Sequence, residues 1–203
     1  MQSRNLGPFE VSAIGLGCMN CSMGYGAADD EKSIRLLHQA LDAGYRLLDT
    51  AALYGDGHNE SLIGLALKDH RNEYVLSSKC GLVKNEQGES ISNGRPESLK
   101  QQCEDSLKRL QTDVIDLYYL HRMDRKVPIE ESVGALGDLV SQGKIRAIGL
   151  SEVSTATLRR AHAEQPITAL QSEYSLWSRT PECGILHACE ELGVTFVAFS
   201  PLG

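Results

Sequence analysis

Long hydrophobic runs are missing from this sequence. No apolar stretch among its 203 residues approaches the ~20 needed to cross a bilayer. Residues 1 to 20 also lack the charged start and the uninterrupted apolar core of a signal peptide. These absences argue against a membrane partner and predict a cytoplasmic protein. Low-complexity segments are absent too, so we expect residues 1–203 to form a single domain.

Positive charge is scarce. The sequence has 20 Lys and Arg against 27 Asp and Glu, which gives a formal net charge of -7. Nucleic-acid backbones and anionic membrane surfaces are bound by basic faces. The sequence therefore predicts neither nucleic acid nor membrane as a partner.

Cysteine and histidine lack the spacing of a metal site. Cys18 and Cys21 form a CxxC, but no second Cys or His pair follows at a matching distance. An intracellular chain with a core of this size has no need of disulfides, and its six cysteines are expected to stay reduced. We therefore predict no metal site.

Seven apolar runs of strand length alternate with six amphipathic segments. The runs are Ala13–Leu16, Tyr45–Leu48, Tyr74–Ser77, Val114–Leu120, Ile145–Leu150, Thr168–Gln171 and Val194–Phe199. The amphipathic segments are 30–43, 59–69, 96–110, 130–142, 155–163 and 182–192. Strict alternation predicts a parallel α/β sheet with right-handed crossovers. Seven such units in one domain favour a (β/α) barrel over an open sheet.

Several local signals add detail to this barrel. The stretch "NLGPFE" predicts a β-hairpin ahead of the first barrel strand. Asn59 is expected to cap the second helix, and Pro96 to occupy the first turn of the third. A closed (β/α)8 TIM barrel has eight strands. We therefore expect this chain to lack the eighth strand and the C-terminal helices.

Four reactive side chains are predicted to meet at the mouth of the barrel. Barrel active sites form where the strands end at their C-terminal sides. Period-two alternation places Asp49, Lys79 and His121 on one face of three strands, and we take that face to point inward. Tyr54 would reach the same place from the loop after Asp49.

These groups suit one chemical task. A free phenol has a pKa near 10, so it is a poor proton donor at neutral pH until a nearby cation favours its charged form. Lys79 would be that cation for Tyr54, and Asp49 would keep Lys79 charged. A neutral His121 would hold a carbonyl oxygen against Tyr54. The set predicts delivery of a proton to a carbonyl oxygen while something else attacks the carbon.

Other interpretations of the same residues stay open. Asp49 and Lys79 alone are consistent with a structural ion pair, and His121 alone with a hydrogen-bonded core histidine. The stretch "GLGCMN" half-imitates the GxGxxG motif of dinucleotide-binding folds. However, Asn20 replaces the third glycine and no helix is predicted to start there.

Seven motifs resemble signatures of the aldo-keto reductase family, in the family's own order. They are "LLDTAALYG", "GHNE", "VLSSKCG", "DLYYLHR", "GKIRAIGLSE", "LQSEYSLW" and "AFSPLG". Within the family, the chain most resembles the branch with pyridoxal reductases and potassium-channel β subunits. The resemblance implies NADPH-dependent reduction of a small aldehyde or ketone. It puts Asp49, Tyr54, Lys79 and His121 at the catalytic positions, with Tyr54 as the general acid.

The same resemblance implies a set of NADP(H)-binding positions. Ser151 and Gln171 would bind the nicotinamide carboxamide, and Phe199 would stack on its ring. Glu152 stands where many relatives have Asn, and Phe199 where Tyr is usual. The full set is Cys18, Met19, Asp49, Ser151, Glu152, Gln171, Phe199, Ser200 and Leu202.

The cofactor-binding site is expected to be incomplete. In the family, an Arg- and Lys-bearing loop that holds the 2'-phosphate follows the eighth strand. We therefore expect the 203 residues to keep the reaction centre but to show weak or absent turnover on their own. The alternative is a truncated or regulatory, non-catalytic member that retains part of the cofactor site.

Overall fold

The computed structural model describes residues 1–24 and 26–203. The chain opens with β1 (Ser3–Leu6) and β2 (Phe9–Ser12), which pair antiparallel. The hairpin predicted from "NLGPFE" is therefore confirmed.

A parallel sheet follows, as predicted, and it curves into a near-barrel. Its seven strands are β3 (Leu16–Gly17), β4 (Leu47–Asp49), β5 (Val75–Cys80), β8 (Ile115–Leu120), β9 (Ile145–Ser151), β10 (Ile167–Glu173) and β11 (Thr195–Phe199). They lie in the order β11-β10-β9-β8-β5-β4-β3. Within the described ranges, β3 and β11 are the outer strands. A second hairpin, β6 (Leu82–Lys84) with β7 (Ser90–Ser92), follows β5.

Six α-helices of the described chain pack outside the sheet. They are α1 (Asp30–Asp42), α2 (His58–Leu67), α3 (Pro96–Leu110), α4 (Ile129–Ser141), α5 (Thr155–Glu164) and α6 (Ile185–Leu192). Pro96 occupies the first turn of α3, as expected, because that position needs no N–H donor. No helix in the described part of the chain is both long and apolar enough to span a bilayer.

Three local predictions were wrong. Asn59 does not cap α2, because the helix already begins at His58 and Asn59 is fully buried inside it. The run Ala13–Leu16 is mostly not a strand, since Ile14 faces solvent and only Leu16–Gly17 pairs with β4. The segment 182–192 is divided at Gly184, whose φ of +142° separates a 3-10 turn from α6.

The interior of the barrel changes character from floor to mouth. At the floor, side chains from the sheet pack against Leu6 and Val11 of the first hairpin, and this cluster includes Leu47, Leu117 and Ala147. The hairpin therefore closes that end with apolar surface. Toward the C-terminal ends of the strands, the same inward faces carry polar side chains. The polar layer thus lies above a sealed apolar floor.

Candidate active site

Asp49 and Lys79 form a buried ion pair at the mouth of the barrel. The ammonium of Lys79 donates to Asp49 Oδ2 and, over 3.0 Å, to the backbone carbonyl of Thr50. The other carboxylate oxygen, Asp49 Oδ1, accepts from Ser77 Oγ at 2.7 Å and from Gln171 Nε2 at 3.2 Å. The two buried charges are therefore paired with each other and hydrogen-bonded to their neighbours, as buried charges require.

Lys79 keeps its charge although it is 1% exposed. Burial by itself lowers the pKa of Lys79. The charge of Asp49, followed by the nearby phenol of Tyr54 and the hydrogen bond to Asp49, acts the other way, and together they raise the Lys79 pKa above its ordinary value. The ammonium is thus a fixed positive charge at neutral pH.

Two tyrosines lie beside this ammonium, and their surroundings differ. The Lys79 nitrogen is 5.3 Å from the ring centroid of Tyr54 and 5.8 Å from that of Tyr119. Tyr119 is 1% exposed, and burial followed by the charge of Asp49 raises its pKa well above the usual range. Tyr54 is only half-buried. Tyr54 is therefore the phenol that an entering molecule can meet.

His121 completes the cluster as a neutral imidazole. Its ring stands edge-on to Tyr54, with 5.9 Å between centroids and an interplanar angle of 85°. Burial, followed by the charges of Lys79 and Arg122, lowers the pKa of His121 to about 3. Its Nδ1 is buried and has no hydrogen-bond partner among the described residues. A buried polar atom of this kind calls for a ligand or water partner.

Ser151 and Gln171 bring further polar atoms to the mouth. The Ser151 hydroxyl accepts from Arg122 Nη1 at 3.0 Å, which leaves its own proton free to donate. Gln171 uses its amide nitrogen on Asp49, which leaves its carbonyl oxygen to accept. The two side chains are 1% and 6% exposed. Together they offer one donor and one acceptor, which is the complement of a carboxamide.

The family of the chain follows from comparison with known proteins. The sequence model described as the Aldo/keto reductase family matches residues 13–203. The chain belongs to the aldo-keto reductase family. It is 45% identical over 197 residues to "Probable aldo-keto reductase 1" of Glycine max, a match that covers 96% of this chain and 57% of that protein.

Two solved aldo-keto reductases share the fold. An enzyme from Bacillus halodurans in its holo form matches with a TM-score of 0.88 and 35% identity, over 98% of this chain and 65% of that one. Another, from Klebsiella pneumoniae in complex with NADP and acetate, matches with a TM-score of 0.82 and 34% identity, over 95% of this chain and 65% of that one. The chain thus spans less than two thirds of the length of these relatives.

Glu152, which departs from the commonest aldo-keto reductase pattern, has an unusual backbone. Its φ is +56°, a left-handed conformation that Asn adopts more readily than Glu. Its carboxylate accepts the N–H of Glu173 at 2.9 Å. The side chain is thereby tied to the end of β10 and remains exposed.

The remaining expected cofactor positions lie in contrasting places. Cys18 is fully buried in the core, so only its backbone can face the cleft, whereas Met19 is half-buried. Burial, then Cys21, raises the pKa of the Cys18 thiol far above its usual range, which leaves it unreactive. Phe199 is half-buried at the end of β11, and Ser200 and Leu202 are exposed in the turn that follows.

Sequence reasoning missed several residues that hold the site together. Ser77 and Tyr119 lie on the inward faces that the strand alternation defines, so that pattern alone could have flagged them. Thr50 contributes through its backbone carbonyl, for which a sequence carries no signal. Asn59 was taken for a helix cap, and its burial appears only in the fold.

Proposed function

We propose that these residues are the reaction centre of an NADPH-dependent oxidoreductase that reduces aldehydes or ketones to alcohols. One observation carries the proposal: a fully buried ammonium, Lys79, lies between the carboxylate of Asp49 and the ring of Tyr54. The choice of NADPH rests on the relative solved with NADP.

Tyr54 acts as the general acid in this proposal. When a phenol gives its proton to a carbonyl oxygen, it becomes negative, and the nearby Lys79 charge stabilises that state. Asp49 holds Lys79 in place and compensates its charge before the reaction begins. Tyr119, whose raised pKa keeps it neutral, is buried away from the substrate.

His121 and the rim residues orient the reactants. An imidazole that stays neutral can donate a hydrogen bond to a carbonyl oxygen without competing as a proton source. The donor of Ser151 and the acceptor of Gln171 fit the carboxamide of a nicotinamide ring. Bound NADPH would supply the hydride that attacks the carbonyl carbon.

The proposal is tested by following NADPH oxidation with 4-nitrobenzaldehyde, an activated aldehyde, in a chain extended at its C-terminus to the length of its relatives, because the 203 residues are expected to turn over weakly or not at all on their own. We expect Tyr54→Phe to lower kcat by roughly 100-fold or more, because general acid catalysis contributes about 10²- to 10⁴-fold. Tyr45→Phe is the matched control, since Tyr45 is half-buried before β4, at the opposite end of that strand from Asp49. NADPH binding, followed by nicotinamide fluorescence, should be unchanged in both variants.

A near-normal rate in Tyr54→Phe would show that Tyr54 is not the acid. Saturable NADPH binding without any turnover by the extended chain would instead favour the non-catalytic alternative.

A further inference from the structure

We propose that Thr50 and Asn59 are a positioning pair that sets the place of Lys79 and of the loop carrying Tyr54. This inference deepens the proposed function and rests on it. Neither side chain touches the reacting groups, so both would act through their neighbours.

Asn59 is a fully satisfied buried amide. Its Oδ1 accepts from Thr50 Oγ1 at 2.6 Å, and its Nδ2 donates to the Cys18 carbonyl at 2.8 Å and to Ser22 Oγ at 2.9 Å. The residue is 0% exposed. Such a network defines one geometry, because each lost partner leaves a buried polar atom unpaired.

Thr50 links this amide to the ammonium. Its hydroxyl is held by Asn59, and its carbonyl accepts from Lys79 Nζ at 3.0 Å. Thr50 is also 0% exposed, and its N–H donates to the carbonyl of Ser77 at 2.9 Å. The position of the carbonyl is therefore fixed from both sides of the residue.

The backbone of Asn59 closes the loop that bears the phenol. Its N–H donates to the Tyr54 carbonyl at 3.2 Å. Together with the hydrogen bond between the Thr50 and Asn59 side chains, this contact closes residues 50–59 into a compact loop. The start of α2 is anchored separately, because buried Glu60 accepts from Arg109 Nε at 2.7 Å and from Ser78 Oγ at 2.5 Å. The loop of residues 50–59 therefore leads into a helix start that is itself held in place.

The pair therefore offers a route by which two buried side chains control the reaction. Lys79 has only Asp49 and Thr50 as hydrogen-bond acceptors among the described residues. If Thr50 shifts, the ammonium shifts relative to Tyr54, while the surfaces that bind cofactor and substrate remain. A positioning role thus predicts a loss in kcat with little change in KM.

The test compares Thr50→Val with Thr50→Ser in the same extended chain. Valine keeps the shape of the side chain but removes the hydroxyl that donates a hydrogen bond to Asn59, whereas serine retains that hydroxyl. We expect Thr50→Val to lower kcat by about 10- to 100-fold with KM nearly unchanged, because a misplacement of about 1 Å can cost that much. Thr50→Ser should restore most of the rate. Ser12→Ala is the control, since it deletes a buried hydroxyl that donates to the Ile14 carbonyl in the hairpin at the floor of the barrel.

Hydrogen exchange supplies a readout that does not depend on turnover. Amides in 50–59 should exchange at least about 10-fold faster in Thr50→Val than in Thr50→Ser, because breaking the tie raises the population of the open loop. Unchanged exchange, or faster exchange with kcat unchanged, would overturn the positioning pair. If the extended chain reduces no carbonyl, the proposed function fails, and exchange alone then decides whether the pair holds the loop.

Discussion

Whether a side chain at the mouth carries a charge depends on the immediate partners of that residue. Lys79 and His121 lie in the same buried layer, yet one keeps its proton and the other loses it. Lys79 has a carboxylate and a backbone carbonyl within hydrogen-bond reach. Among the residues that the structure describes, His121 has no anionic partner of that kind, and the neighbouring charges of Lys79 and Arg122 are both positive. Local partners therefore outweigh burial for Lys79 and reinforce burial for His121.

His121 should make the protein sensitive to acid. Its pKa is about 3 in the folded chain and near its ordinary 6.5 in the unfolded chain, so only the unfolded chain gains the proton between these values. Stability is fully present above pH 6.5 and is lost as pH falls toward 3. Between pH 7 and 4.5, we expect the free energy of unfolding to fall by roughly 2 kcal/mol more in the unaltered chain than in His121→Gln.

Urea unfolding at pH 7, 5.5 and 4.5 measures this difference. His187→Gln is the control, because it replaces a histidine of α6 whose side chain is 72% exposed. Parallel curves for the unaltered chain and His121→Gln would contradict the assignment of a neutral imidazole.

At the scale of elements, periodicity predicted the sheet and the helices, and alternation along strands predicted which side chains meet. Asp49 ends β4, Lys79 lies near the end of β5 and His121 follows β8, and they come together because each shares the inward face of its strand. The hairpin of β6 and β7 was missed, since its strands are three residues each and their turn depends on Asn85, whose side chain accepts two backbone N–H groups. Roles carried by backbone carbonyls, as at Thr50, leave no mark in the residue type.

Helix packing gives a matched test of two glycines. Gly64 lies inside α2, and a Cβ there would come within 2.4 Å of the Arg109 carbonyl oxygen of α3. Gly134 lies inside α4, where a Cβ would meet nothing closer than 3.8 Å, at Glu164. We expect Gly64→Ala to destabilise the protein by about 1–3 kcal/mol through overpacking. Gly134→Ala should stabilise it by about 0.5–1 kcal/mol, because alanine is the better helix former.

Urea midpoints of the two variants measure this contrast. The same substitution in two helices should shift them in opposite directions. A Gly64→Ala variant as stable as the unaltered chain would mean that α2 and α3 do not pack this closely.

At the scale of the whole molecule, the apolar core is divided by the sheet. One cluster fills the space between the strands and the surrounding helices, and a smaller one lies inside the barrel beneath the polar mouth. The smaller cluster includes Leu6 and Val11, so the first hairpin is part of the barrel's interior. The buried charges above it therefore depend on a floor that the first twelve residues close.

Leu6 tests whether the hairpin unfolds with the barrel. Its side chain is 2% exposed, and its cluster includes Leu47, Leu117 and Ala147. We expect Leu6→Ala to lower the free energy of unfolding by about 2–4 kcal/mol, from lost burial and the cavity left behind. Ile14→Ala, at a side chain that is 61% exposed, should change it by less than about 0.5 kcal/mol. Urea unfolding followed by far-ultraviolet circular dichroism should show one transition, shifted as a whole in Leu6→Ala. A separate early transition, with the main one unmoved, would mean that the hairpin is an appendage and that the barrel floor is stable without it.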